Sequence, residues 1–206
     1  MSEGPEIKEL FEDIGTPFEI LRDEGNISGE YLLYKTNAQV TKPFIREFFL
    51  ETMLPYDSQV AGGDVLKVDD GTNRSFIVMN KTPENMEGEA FVNNVVLYKC
   101  NVSGELQRPS GEAPDPHTYR TLTQWETVKE ECHGLLTAQL YGTDVKDEED
   151  IGRINLEALY FYVPTKFGVM TNDRYSPVSG EYYKVDEIKR REFDGVDVCH
   201  LSEDTR

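Results

Sequence analysis

Pro164-Thr-Lys-Phe-Gly-Val169-Met-Thr-Asn-Asp173-Arg-Tyr-Ser-Pro-Val-Ser-Gly180 lies over Pro55-Tyr-Asp-Ser-Gln-Val60-Ala-Gly-Gly-Asp64-Val-Leu-Lys-Val-Asp-Asp-Gly71 with Pro, Val, Asp and Gly in register and no gap. After each glycine comes a β-rich run, Phe76-Ile-Val78 in one and Tyr183-Lys-Val185 in the other, and then a closing run over 95–101 or 196–204. The chain reads as one strand-turn-strand plan written twice. Drift between two related modules loses identities but keeps the alternation and the turns. Upstream, Phe18-Glu-Ile-Leu-Arg-Asp-Glu24 falls over Trp125-Glu-Thr-Val-Lys-Glu-Glu131, and Leu33-Tyr34-Lys-Thr36-Asn37 over Leu140-Tyr141-Gly-Thr143-Asp144, at an offset of 107 to 109 residues.

A chain of 206 residues has room for two small domains, each able to bury a core. Charged residues make up 29% and hydrophobic residues 38%, the balance of a chain with a polar surface. No apolar run approaches the roughly 20 residues of a membrane span. The start, Met-Ser-Glu-Gly-Pro, lacks the basic and apolar regions of a signal peptide, so the expected location is the cytoplasm unless a larger assembly carries the protein out. Cys100, Cys132 and Cys199 are odd in number and never in a C-x-x-C pair, which suits a reducing compartment. The net charge of −18 argues against a protein that grips nucleic acid by its phosphates, though not against one that surrounds DNA without holding it.

Ile7, Leu10, Phe11 and Ile14 fall at helical spacing before Gly15 and predict a short amphipathic helix within an N-terminal arm, residues 1–16. From Pro17 the pattern turns to short aromatic and β-branched runs broken by Gly, Asn, Asp and Pro, the signature of a barrel or sandwich. The expected fold is therefore mainly β, two tandem small barrels or sandwiches. The first spans 17–102, with strands over 18–22, 31–36, 45–53, 75–79 and 91–102. Residues 103–118, rich in Gly, Pro and polar side chains, read as the linker. The second barrel spans 119–206, with strands over 121–130, 134–141, 153–163, 182–188 and 196–202. An acidic insertion, Gly142-Thr-Asp-Val-Lys-Asp-Glu-Glu-Asp150, interrupts it.

The residues nominate no catalytic group, cofactor or metal. Gly62-Gly63 precedes Asp64 and has no following Lys-Ser/Thr, so it does not cradle phosphate. Cys132-His133 and Cys199-His200 would point to opposite faces of their strands, which works against nucleophilic chemistry and against a zinc site unless both pairs sat at strand ends. Asp144, Asp147, Glu148, Glu149 and Asp150 crowd carboxylates together but lack the alternating ligands and central glycine of an EF-hand loop. A metal-dependent hydrolase or Ca²⁺-binding module built on that loop is the alternative from a different functional class.

Asn172-Asp173-Arg174, then Gly180, then Tyr183-Lys-Val185, then Phe193-Asp-Gly195-Val-Asp-Val, then Asp204-Thr-Arg206 resembles the head-closure (stopper) proteins of long-tailed bacteriophages. That family carries a Gly-Asp-Arg-like lead-in, a glycine turn, a Tyr-x-Val strand and a last strand ending near Asp-x-Arg. The resemblance covers 153–206, and its motif positions here are Asp173, Arg174, Gly180, Tyr183, Val185 and Asp204. It implies a virion structural protein of the head-tail neck, present in the host cytoplasm during assembly. Such a protein forms a ring beneath the portal and adaptor, retains packaged DNA and docks tail proteins. A tail-completion or tail-terminator ring is the runner-up in the same class. Family members are usually single barrels, so the tandem copy is a departure. A hexamer would then present twelvefold barrels to a twelvefold portal, with a dodecamer as the alternative. DNA would pass without sequence-specific binding and no membrane would be involved. In stopper proteins a loop between the second and third strands can reach the channel, which implies that Asp144, Asp147, Glu148, Glu149 and Asp150 face it. Their charge would repel DNA over about one Debye length, roughly 8 Å.

Overall fold

The computed structural model describes residues 4–35, 48–72, 74–86, 89–114, 121–138 and 159–206. The chain divides into two compact units, Met1–Cys100 with Arg191–Val196, and Asn101–Arg190 with Asp197–Arg206. The expected helix is α1, Gly4–Ile14. Of its apolar side chains Phe11 is buried, whereas Leu10 and Ile14 are exposed. Lys8 ties the helix to Asp57 at 2.7 Å.

The first sheet is a closed barrel of β1 (Thr16–Leu21), β2 (Ile27–Tyr34), β3 (Phe49–Pro55), β4 (Val65–Val68), β5 (Arg74–Met86) and β6 (Glu89–Lys99). Its order is β1-β2-β3-β6-β5-β4. The second closed barrel is made of β7 (Val102–Pro114), β8 (Thr121–Thr137), β9 (Leu159–Pro164), β10 (Arg174–Ser176), β11 (Tyr183–Phe193) and β12 (Val196–Glu203), ordered β10-β11-β12-β9-β8-β7. Renumber the second set from one and the neighbours coincide. Each barrel is two successive three-stranded meanders, joined first strand to fourth and third strand to sixth. The expected mainly-β fold with tandem barrels is what the chain adopts.

The register shows which residues correspond. In the β1–β4 ladder Ile20 faces Leu66 and Leu21 faces Val65, and in the β7–β10 ladder Leu106 faces Tyr175 and Gln107 faces Arg174. The counterpart of β1 is therefore β7, and the expected linker over 103–118 is corrected through residue 114, with 115–118 outside the described residues: Val102–Pro114 is the first strand of the second barrel. The unit boundary falls just before it. The overlay of 18–24 on 125–131 is corrected accordingly, because 125–131 lies in β8, the counterpart of β2. The two strands expected over 121–130 and 134–141 are one continuous strand through Thr137. The short strands β4 and β10 are additional to the expected set.

The cores correspond position by position, with a volume exchange. Phe18 and Leu32, buried in the first barrel, become Gly104 and Gly134; Thr52 and Leu66 become Phe161 and Tyr175. The rings of Phe161 and Tyr175 stack at 4.3 Å, and Tyr175 Oη donates to the Cys132 carbonyl at 3.1 Å. Bulk has moved from the first two strands to the third and fourth. A Cβ on Gly134 would sit 2.1 Å from a Phe161 ring carbon. Gly134→Ala is thus expected to destabilise the second barrel by about 1–3 kcal/mol. Adding Phe161→Thr, the twin's residue at that position, should recover part of the loss despite removing a buried ring. Thermal melts of the single and double variants check this, and an unshifted melting temperature for Gly134→Ala alone would refute the exchange.

Candidate functional site

The two connections that lead from the first meander to the second, residues 56–64 and 165–173, are held by the same clasp. Arg22 Nη2 donates to Asp64 Oδ2 at 2.7 Å and to the Gln59 carbonyl at 2.9 Å, while its Nε reaches Asp64 Oδ1 at 3.4 Å. Arg108 Nη2 donates to Asp173 Oδ2 and to the Gly168 carbonyl, both at 2.8 Å, with Nε on Asp173 Oδ1 at 2.9 Å. The aspartates also accept backbone N–H bonds three residues back, from Ala61 at 3.0 Å and Met170 at 2.7 Å. Gly63 N and Asn172 N each donate 2.8 Å bonds to the carbonyls of Val78 and Val185, whose own N–H groups donate to Asp64 and Asp173 at 2.9 Å. Gly63 and Asn172 both take positive φ, 75° and 72°, a region that Asn tolerates best among side-chain-bearing residues. Each hydrogen bond to the aspartate raises the pKa of Arg22 and Arg108 above the ordinary guanidinium value.

The second barrel adds a feature that the first lacks. Arg174 stacks its guanidinium 3.9 Å from the Trp125 ring and 4.2 Å from the Tyr182 ring, and its Nε donates to Gln107 Oε1 at 2.9 Å. Arg206 lies 5.1 Å from Trp125, oriented by Asp204 through Nε and Nη2 at 2.9 Å each and by the Asn172 carbonyl at 3.3 Å. Burial lowers the Arg174 pKa against the pull of Asp204, whereas the bond that Arg206 donates to Asp204 raises its own pKa. Trp125 sits opposite Pro109, at the root of a β7–β8 ribbon that continues to Pro114 and Thr121. The stack therefore fixes the root of a projecting arm.

The structure gives each motif position a place. Asp173 is the buried clasp acceptor, Arg174 the stacked cation, Val185 a core side chain, and Asp204 the residue that aims Arg206. Gly180 turns the chain into β11 with φ 95°, and Tyr183 pairs with Tyr175 across β10–β11. Asp173, Arg174, Val185 and Asp204 are brought together, but Trp125 and Arg108, their partners, were not singled out from sequence. The only available signal for Arg108 was its equivalence to Arg22, hidden by taking β7 for a linker. Asp144, Asp147, Glu148, Glu149 and Asp150 lie outside the described residues.

Cys132 and Cys199 are fully buried, with His133 and His200 half-buried on the opposite faces of their strands. Among the described residues no group of three or more His, Cys, Asp or Glu is placed to hold a metal ion. A cleft of about 180 Å³ beside α1, lined by Lys8, Phe11, Tyr31 and Ser58 among others, is small against the roughly 300–1,000 Å³ of ligand pockets. Comparison with protein-family models, curated proteins and solved structures finds no match to this chain.

Asp64→Asn and Asp173→Asn keep the shape and remove the charge. Each is expected to cost its own barrel about 2 kcal/mol, within the ~1.5–3 kcal/mol of bonds to charged groups. The cost stays moderate because both arginines are about a third exposed, leaving water to take over part of the lost bonding. Calorimetry should show the loss in one unit at a time; equal destabilisation of both units would overturn the local role of the clasp. Burial has pushed the Cys132 thiol up to about 12 and raises that of Cys199 too. At pH 8 a disulfide-exchange reagent should modify one thiol of the folded protein, the half-buried Cys100, and all three after denaturation. Rapid modification of Cys132 or Cys199 in the folded state would contradict their burial.

Proposed function

We propose that this chain is a ring-forming structural protein of the head-tail neck of a tailed bacteriophage, a head-closure protein that retains packaged DNA and docks the tail. The observation that carries the proposal is the barrel repeated within one polypeptide, its second copy bearing the motif side chains at structural positions. A head-closure protein works by presenting rigid surfaces to the rings above and below it. Two closed barrels, each with its meander connection clasped, supply such surfaces, with shape fixed before binding. A hexamer of such a chain would carry twelve barrels of one topology toward a twelvefold portal or adaptor.

The charge fits the same role. Duplex DNA carries a charge about every 1.7 Å, and a wall at −18 per chain leaves it free to slide, where a basic wall would retard it. We place Asp144, Asp147, Glu148, Glu149 and Asp150 on the channel side in this proposal. Ring contacts of the necessary size bury on the order of 1,000 Å² or more, a demand met by complementary surface and not by a reactive group.

The test is to raise antibodies against the purified chain and label the virions of the phage that encodes it, with a knockout in parallel. Label at the neck, together with full heads that leak DNA and fail to join tails when the gene is removed, is the expected result. Label at the tail tip or tube, or fully infectious particles without the protein, would overturn the proposal. Label at the top of detached tails would assign the chain instead to the tail-terminator layer.

A further inference from the structure

The ribbon of β7 and β8 is the main structural gain of the second barrel over its twin. In the first barrel the β1–β2 ladder stops at Ile20↔Ile27. In the second it runs on through Pro109↔Trp125, Glu112↔Thr123 and Pro114↔Thr121. Among the described residues the neighbouring strands do not follow it: β10 pairs with β7 only at Glu105–Gln107, and β9 with β8 only at Leu135–Thr137. Beyond Arg108 the arm is two strands with mostly exposed side chains. Such a ribbon is marginal in water on its own, and barrel closure gains nothing from it.

What holds it is the stack at its root, and the first barrel lacks both the arm and the stack. Val65 stands where Arg174 stands and Ser75 where Tyr182 stands, as the paired ladders and the matching bonds of Cys100 N to Ser75 O and Asp204 N to Tyr182 O require. Arm and anchor occur together in one copy and are missing together in the other. The direction in which the arm points is therefore a property that the side chains are arranged to keep.

We propose that the arm is an intersubunit docking element that lies against a second copy of this chain, with its β8 edge outermost. Pro109 and Pro114 remove N–H donors from the β7 edge, which blunts it against strand addition, whereas 121–128 on β8 contains no proline and keeps every donor. The occupant rests on the ring proposed above, in which each subunit's neighbour is another copy. Size says how the contact works. An arm of about six residues a side is roughly 20 Å long, and laid flat it covers on the order of 200 Å² on each partner. That is well under the total of about 1,000 Å² that a stable pair needs. One arm cannot hold a dimer; arms add up where every copy both gives and receives one, as in a head-to-tail ring. Copies at −18 also repel each other, so added salt should promote association.

Sedimentation velocity of the full chain, from micromolar to millimolar concentration and at two salt concentrations, tests this. Two variants accompany it, one with residues 111–123 replaced by an Asn-Gly turn and Trp125→Ala, which leaves the ribbon but unhooks its root. The wild type is expected as a monomer at micromolar and as rings without a stable dimer at millimolar, more so in salt. The shortened variant should stay monomeric with both melting transitions intact, and Trp125→Ala should associate at least tenfold more weakly while amide exchange in the arm accelerates. If the shortened variant fails to fold, the Trp125→Ala result decides. A wild type that stays monomeric in high salt, or variants that associate as well as it does, would overturn the arm. Failure of the neck proposal is read separately: the shortened chain found at virion necks sinks the arm alone, while wild type absent from necks sinks the ring reading.

Discussion

Closing a barrel from two consecutive meanders depends on one junction, where the end of the first strand must meet the start of the fourth. The connection between the meanders runs for nine residues outside the sheet in both copies, 56–64 and 165–173, with a 3-10 turn over Thr165–Phe167 in the second. The Arg–Asp clasp acts at that point. Its arginine leaves the first strand just past the ladder, and its aspartate immediately precedes the fourth. A carboxylate as buried as Asp173, 1% exposed, would be costly if unpaired. Here a bidentate guanidinium and a backbone N–H fill its oxygens, so it is stable only when the first and fourth strands are in register. The clasp therefore specifies the pairing more than it adds to stability, a use well attested for buried polar groups.

This explains which parts of the fold could be read from the sequence. The stretch from Pro55 to Gly71 recurs because the clasp connection allows little drift: the buried valine, the aspartate and the turn glycine each occupy a site with one acceptable solution. Val60 and Val169 are both buried, and Gly71 and Gly180 both take positive φ. Core strands drift more freely. Phe18 and Leu32 against Gly104 and Gly134 share no chemistry, and only the compensating Phe161 and Tyr175 show that the same volume is filled. Pairwise comparison sees two mismatches at each place and loses the relation. Interior packing constrains the sum of volumes across strands that are far apart in sequence.

The first strand of the second barrel is hidden in the sequence for a different physical reason. An edge ribbon and a linker draw on the same residues. Pro109, Pro114, Gly111 and Ser110 protect an exposed β edge, and the same composition marks chain without structure. Only the partner strand tells them apart, and β8 lies past residues 115–120. The motif at the end of the chain had a related limit. Asp173, Arg174 and Asp204 could be picked out, but their purpose depends on Arg108 and Trp125, more than forty residues earlier, and such long-range pairs leave no periodic signal.

The two copies have thus kept one constraint and parted on another. Both retain the clasp, which ties the first strand to the residue before the fourth in each barrel. The second alone has lengthened its first hairpin and placed two arginines on a tryptophan at the root. The chain has 39 acidic and 21 basic side chains, ten of the latter arginines. Arg22, Arg108, Arg174 and Arg206 all work within their own barrels, bound to carboxylates, carbonyls or rings. Committing these cations inward leaves the outward field acidic, which would suit the channel wall of the proposed neck ring and would hinder adhesion between copies. In the proposed ring, contact between copies would then have to come from shape and main-chain pairing, which an anchored ribbon would provide and a charged patch here would not. An arm on each barrel would give every subunit two such contacts with different geometry and no single closure angle. One arm per chain leaves one rotation to repeat, the condition for a ring that closes.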